Sequence, residues 1–394
     1  MSVQRRVGAV TLAASLAAAT LFSSASAHSL PARSAAGSPI NIGLIVAQTG
    51  VGAATGLYKI NGAKFAVNEI NAHGGVSGRP LNLEIVDDQT TNAGTVSAFQ
   101  RLVQAGNITA IIGPIRSTEV QAITPYIERQ GIPVMMGGTA PKLTHEGDPW
   151  VFRTRPNDTY SAEALSTFVA NTLHLKKVAV FHSTDAFGAG GDAQLTTALK
   201  GYRLTPVTDQ GYNNHDADLT TQALAIKKSG ADALVSYCTY DEDCVLMART
   251  MHQLGVRVTW AGSPSLTSVT ARRLGGSLLY GTYGATDFAV GQNKVNDAFN
   301  KAYQAAYHVQ ADIYSGYVYD AVTILSTVMR KAGTAPSAIR SGILHIRGYT
   351  GVEGLYNFDQ NGDGLHQYTI VQNLKGFFYK LRILSRCQGH FCSF

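Results

Sequence analysis

Two stretches of this chain combine glycine with hydroxyl side chains in a pattern suited to holding an anion. The first reads Gly113-Pro114-Ile115-Arg116-Ser117-Thr118-Glu119, the second Gly137-Gly138-Thr139-Ala140-Pro141. Glycine lets a ligand approach the backbone closely. Ser or Thr at the start of a helix places a hydroxyl beside N–H groups that lack an intrahelical partner, and such groups favour negative charge. A plain helix start uses the same residue types, and Thr118 with Gln121 reads equally as a capping box. Taken together, the two stretches sketch a carboxylate cradle. Two further segments mix aromatics with acids: Asp185, Phe187 and Gly188, then Tyr240, Asp241, Glu242 and Asp243. Phe187 and Tyr240 suit the lips of a pocket, or ordinary packing.

Other chemistry is poorly served. The sequence contains no nucleophile elbow, P-loop, G-x-G-x-x-G fingerprint or H-E-x-x-H pair,. His182 ends an apolar run without a visible nucleophile to serve. Asp359-Gln360-Asn361-Gly362-Asp363-Gly364 imitates half of an EF-hand loop, but the twelfth position is Ile370, where the bidentate Glu belongs,. It reads as a turn. No catalytic residue, metal site or cofactor is therefore expected.

The elements around these loops repeat a simple rhythm. Ile40–Ala47 is a short apolar run. A helix follows with Ile60, Ala63, Val67 and Ile70 on one face, ending at Gly74-Gly75,. Apolar runs at 81–86, 108–112 and 132–136 alternate with helical patterns at 94–104 and 118–129. After Arg153-Thr154-Arg155-Pro156 a second alternation begins, with strands predicted at 178–182, 233–237 and 256–261 and a polar stretch reaching Asn214. Helices are expected near 294–308 and 315–331, then short strands around 354–358 and 368–381. Short apolar strands alternating with helices imply parallel sheets covered on both faces. The fold class read here is α/β, with two doubly wound parallel-sheet lobes. Ligands of such sheets bind beyond the carboxyl ends of the strands, where the loops above lie.

Composition bounds the setting. Arg5 and Arg6, an apolar stretch from Val7 to Phe22 and Ala25-Ser26-Ala27 have the order of a secretory signal peptide over residues 1–27, too short in its apolar part to span a bilayer,. Its removal takes away two Arg and no acid, so the net charge falls from +6 to +4. The remaining basic residues are scattered, which argues against nucleic acid as a partner. Export permits disulfides, and the four cysteines form two local candidate pairs, Cys238 with Cys244 and Cys387 with Cys392,.

Across residues 39–380 the chain resembles the periplasmic Leu/Ile/Val-binding proteins of branched-chain amino-acid ABC transport systems, the type I periplasmic binding fold. The resemblance is carried by NIGLIVAQTG, NGAKFAVNEINAHGGVSGRPL, EIVDDQT, IIGPIRST, IPVMMGGTAPKLT, VFRTRPND, KVAVFHSTDAFG, SGADALVSY and YNFDQNGDG, in that order. It implies a non-enzymatic periplasmic solute-binding protein that closes a multi-crossing hinge over an amino acid or related small carboxylate or amide. An ABC permease is the implied partner, and a monomer is expected. A ligand-sensing module with the same fold is the alternative. The first lobe would comprise 39–154 plus about 285–355, the second 155–284 plus about 356–394.

Matched residue by residue, the resemblance places Ser117, Gly137 and Thr139 at the ligand's carboxylate and ammonium. Phe187, Tyr240 and Tyr314 fall at the clamp aromatics, and Thr55 where relatives often carry an aromatic. One departure stands out. The acid that holds the ammonium in the amino-acid binders is missing from Gly262-Ser263-Pro264-Ser265-Leu266. An unpaired buried ammonium is costly, so the sequence predicts weak binding of leucine, isoleucine and valine and better binding of a carboxylate or amide. Asp241 or Glu242, supplied from the adjacent loop, is the alternative.

Overall fold

The computed structural model describes residues 37 to 393, apart from residues 147, 376, 388 and 389, and only the backbone of residues 377–379 and 382–393. The signal peptide read at 1–27 lies outside them. So do the side chains of Cys387 and Cys392.

The first sheet is built from β1 (Ile40–Val46), β2 (Leu81–Asp87), β3 (Ile108–Ile112), β4 (Val134–Met136) and β5 (Val151–Arg153), ordered β2-β1-β3-β4-β5 and parallel throughout. Helices α1 (Ala53–Ala72), α2 (Asn92–Gln104), α3 (Ser117–Gln130) and the single turn α4 (Lys142–His145) connect the strands. A parallel pair needs such crossovers, and they bury both faces of the sheet. Ile45, Ile111 and Val134 pack against α2 and α3 on one face, Ile42, Leu44 and Ile112 against α1 on the other. Each such side chain, fully buried, contributes about 1.5–3 kcal/mol.

The chain then enters a second layer: α5 (Asp158–Thr167), β6 (Val178–Ser183), α6 (Ala186–Lys200), β7 (Thr208–Tyr212), α7 (Thr220–Ser229), β8 (Ala233–Tyr237), α8 (Asp241–Gln253), β9 (Thr259–Gly262), α9 (Val269–Gly275) and β10 (Tyr283–Thr286). It returns to the first lobe as α10 (Lys294–Tyr307), α11 (Ile313–Ala332) and α12 (Pro336–Leu344), whose apolar faces join the cores around α1. Gly62 on α1 makes this packing close, since a Cβ there would stand 2.3 Å from the carbonyl oxygen of Ser315 on α11. The hairpin of β11 (Tyr349–Thr350) and β12 (Leu355–Tyr356) follows. Then β13 (Gln367–Leu374), β14 (Phe377–Cys387) and β15 (His390–Ser393) extend the second sheet to β15-β14-β13-β10-β9-β8-β6-β7.

Besides the unpredicted α4, β5, α9, β10 and β11, three features differ from the sequence expectation. The second sheet is mixed, because β13 pairs antiparallel with β10 and β14, and β14 with β15; of these, β13–β14 and β14–β15 are tight hairpins, which have no other choice. The polar stretch before Asn214 contains β7, an edge strand whose Asp209 and Gly211 face solvent. An edge strand buries too few side chains to read as apolar. Helix α12 also escapes the periodicity, being short and starting on Pro336.

Three segments run between the layers: 153–158, 286–288 and 357–366. Buried ion pairs tie them together. Arg153 Nε lies 3.0 Å from Asp363 Oδ1, and Arg155 meets both carboxylate oxygens of Asp287 at 2.5 and 3.1 Å. Asp363 also accepts from Thr144 and Asn157 at 2.9 and 2.6 Å, so the loop resembling half an EF-hand is a turn whose acid serves Arg153. Arg153 and these hydrogen bonds hold the Asp363 carboxyl far below its usual range against the cost of burial.

Candidate solute-binding crevice

Between the carboxyl ends of the two sheets lies a crevice of about 580 Å³, counting the space at its mouth. The first lobe supplies Gly52 and Thr55 from the start of α1, Ile115, Arg116 and Ser117 from the start of α3, Thr139 after β4, and Ile313 and Tyr314 from α11. The second lobe supplies Phe187, Thr239, Tyr240, Asp241, Glu242, Pro264 and Ser265. Arg155 reaches it from the first crossing segment. Thr55, Ser117, Thr139, Phe187, Tyr240 and Tyr314 thus line one crevice. Gly137 is not on the wall. Its N–H is donated to the Pro114 carbonyl at 3.0 Å, and a Cβ there would meet Ile115 and Tyr317, so it sits behind the lining.

Local chemistry sets each wall residue. Asp185 caps α6 by accepting the Phe187 and Gly188 N–H groups at 3.1 and 2.9 Å, which fixes Phe187 at the rim,. Asp312 caps α11 through the N–H groups of Tyr314 and Ser315 and places Tyr314 in the first turn. A disulfide between Cys238 and Cys244, Cα atoms 5.8 Å apart, closes the loop carrying Thr239, Tyr240, Asp241 and Glu242. Both sulfurs belong to residues that are fully buried.

Ser117 Oγ accepts from the Ala140 N–H at 3.2 Å, which leaves its own hydrogen free to donate. Thr139 stands on the same wall, close to the buried Asp158 carboxylate. Burial pushes the Asp158 carboxyl up to about 6 against the nearby Thr139 hydroxyl and Arg153.

Asp241 is one of two acids on the second lobe's wall. It opens α8, is buried, and faces the crevice. Tyr314 Oη donates to Oδ1 at 2.7 Å, and Ser268 Oγ to Oδ2 at 2.5 Å. No ion pair to Asp241 occurs among the described residues, and burial pushes its carboxyl up to about 7 despite the two hydroxyls. Glu242, half-buried, stands beside it on the same wall. The Gly262–Leu266 loop contributes only Pro264 and Ser265, with no acid, and the acids on this wall are Asp241 and Glu242 from the adjacent loop. Its place in the first turn of α8 and its bonds to Tyr314 and Ser268 hold Asp241 on the crevice wall.

Sequence reasoning also missed Arg116 and Arg155 as wall residues. Arg116 read as part of a helix start, and nothing in its spacing distinguished it. Its Nη1 lies 3.0 Å from Glu119 Oε1, and its guanidinium stacks 4.6 Å over the Tyr240 ring from the other lobe. Arg155 is committed to Asp287 and the crossing segments. The lobes further meet where Asp312 accepts the Val269 N–H at 3.3 Å and Arg272 reaches Gln310 at 3.0 Å.

Comparison with known proteins agrees with this architecture. The family model of the periplasmic binding proteins matches residues 39–376. The Leu/Ile/Val-binding protein BraC3 of Rhizobium johnstonii is 30% identical over 303 residues, 76% of this chain and 81% of that protein. The leucine-, isoleucine-, valine-, threonine-, and alanine-binding protein of Pseudomonas aeruginosa is 25% identical over 344 residues, 87% of this chain and 92% of that protein. The solved structure of the leucine-binding protein LivK from Thermotoga maritima superimposes with a TM-score of 0.82 at 22% identity, covering 87% of this chain and 98% of that one. Fold and crevice define a two-lobed solute-binding protein, not an enzyme. More narrowly, the chain belongs to the periplasmic Leu/Ile/Val-binding protein family, whose members serve ABC transporters.

Proposed function

We propose that the protein is exported by cleavage after Ala27, captures an α-amino acid as its zwitterion, and delivers it as a monomer to an ABC permease. The observation that carries the ligand class is the opposite polarity of the two walls. The first lobe offers the Ser117 hydroxyl and the first N–H groups of α3, both donors,. The second offers Asp241 and Glu242, both acids. A zwitterion touching both walls stabilises the closed arrangement because only there are both of its charges paired. Lobes divided at 154, near 285 and near 356 would move as units about the ion-paired crossing segments.

Calorimetric titration tests the reading directly. An L-amino acid is expected to bind at least tenfold more tightly than its deaminated analogue, as leucine against 4-methylpentanoate. Equal or tighter binding of the deaminated acid would return the protein to the carboxylate or amide binders. Ser117→Ala combined with Thr139→Val should weaken the amino acid at least tenfold, about 1.4 kcal/mol, in a folded protein.

A further inference from the structure

Arg116 has donors that its protein partners do not use. The side chain is 8% exposed, and its Nε has no hydrogen-bond partner. Among the described residues only Nη1 is engaged, by Glu119. A buried guanidinium edge of this kind matches a carboxylate in both charge and fork geometry. The residues around it make room for it. A Cβ on Gly52 would stand 2.2 Å from Arg116 Nη2, so the guanidinium occupies the space beside the first loop, next to Thr55.

Direction matters as much as charge. The Ser117 hydroxyl faces the Ala140 N–H after β4, whereas the Arg116 guanidinium faces Gly52, Glu119 and the Tyr240 ring. These neighbours lie on different sides of the α3 N-terminus, so a group held by Ser117 and a group held by Arg116 are separate parts of one solute. Behind Arg116 sits a second cation, Lys59, fully buried on α1 one turn after Thr55, with its ammonium 5.7 Å from the Tyr314 ring centroid. No ion pair within 4.0 Å engages Lys59 among the described residues. Asp88 and Glu119 neighbour the two cations and temper their charge, and Lys59 is held down to about 8 by burial and by Arg116.

We infer that Arg116 forms a distal anion subsite, so that the solute is an amino acid whose side chain ends in a carboxylate, of the glutamate or aspartate type. The inference rests on the zwitterion reading above and narrows it.

Titration of the protein with L-glutamate, L-glutamine and L-leucine tests it, since glutamine matches glutamate in shape and lacks only the distal charge. Glutamate is expected to bind at least fivefold more tightly than glutamine. Arg116→Gln should reduce that ratio below twofold, and Glu119→Gln, which removes the competing acid, should widen it. The second variant keeps the test decisive if the first is poorly folded. A ratio below fivefold in the native chain, or one that survives Arg116→Gln, overturns the anion subsite. Tight binding of leucine or glutamine in preference to glutamate would do so while leaving the zwitterion reading intact. Failure of all three to bind would remove both.

Discussion

The phenolic hydroxyl of Tyr314 donates a 2.7 Å hydrogen bond to Asp241 Oδ1, and this bond joins the two lobes across the floor of the crevice. Tyr314 is set by the capped first turn of α11, Asp241 by the first turn of α8. Opening the crevice must break it, and a zwitterion entering beside Asp241 must share its acceptor. Both consequences are measurable.

Tyr314→Phe keeps the ring and removes the interlobe bond. A hydrogen bond to a charged group contributes about 1.5–3 kcal/mol. The unliganded protein should therefore shift toward an open form by about tenfold or more. Small-angle scattering should report a larger radius of gyration for the variant without solute and equal radii at saturation. Identical curves without solute would show that the bond does not hold the lobes.

Asp241 makes affinity depend on pH. Its folded carboxyl is raised from 3.8 to about 7, chiefly by burial. In the unliganded protein this costs stability as pH rises from about 4 to about 7, because the unfolded chain ionises first, and the penalty stays constant above. An ammonium favours the ionised form, so binding below pH 7 must expel a proton. Affinity for an amino acid should fall as pH is lowered from 8 to 5. Asp241→Asn should weaken binding at least tenfold at pH 8 and flatten this dependence, which calorimetry in buffers of different ionisation enthalpy would read. Asp243 and Asp320, also raised to about 7, lie elsewhere and serve as the background the variant subtracts.

Asp287→Asn should destabilise the crossing segments strongly. It leaves the Arg155 guanidinium buried without its bidentate partner, and breaking such a pair costs about 3–5 kcal/mol,. The nearby Glu353 carboxylate, whose charge already acts on Arg155, places the expected loss at the lower end. Urea unfolding monitored by circular dichroism would measure it. A loss under 1 kcal/mol would show that the pair is dispensable.

The Cys238–Cys244 bridge closes a loop of only a few residues, so its effect on global stability should be modest, about 2 kcal/mol,. Its larger effect should fall on binding, because the four residues it encloses besides Asp243 line the crevice. Replacing both cysteines by Ala should weaken solute binding more than it lowers the melting temperature would imply. Unchanged affinity would show that α8 alone orders the loop.

The sequence by itself determined much of this protein. Short apolar strands bounded by Gly, and helices with one apolar face, report burial directly, so the parallel strands at the centre of both sheets and most helices follow from hydrophobic period alone. The loops after β3 and β4 were legible for the same reason: strand ends point to one edge, and Ser117 and Thr139 stand there. Edge strand β7 and helix α12 were not, because neither buries enough to leave a pattern.

Only the tertiary structure decided the polarity of the crevice. Asp241, Glu242 and Asp243 are three consecutive acids, and which of them turns inward depends on how α8 starts and on where Tyr314 of a distant helix meets it. Arg116 and Ser117 are neighbours in sequence but face opposite ways, one toward Gly52 and Tyr240, the other toward Ala140. Gly137 carries the residue type of a ligand contact and is covered by Ile115 and Tyr317. Residue type states what a side chain can bond, and spacing states which face it is on. Which partner it meets is set by contacts between segments far apart in the chain, and those exist only once the two lobes have folded against each other.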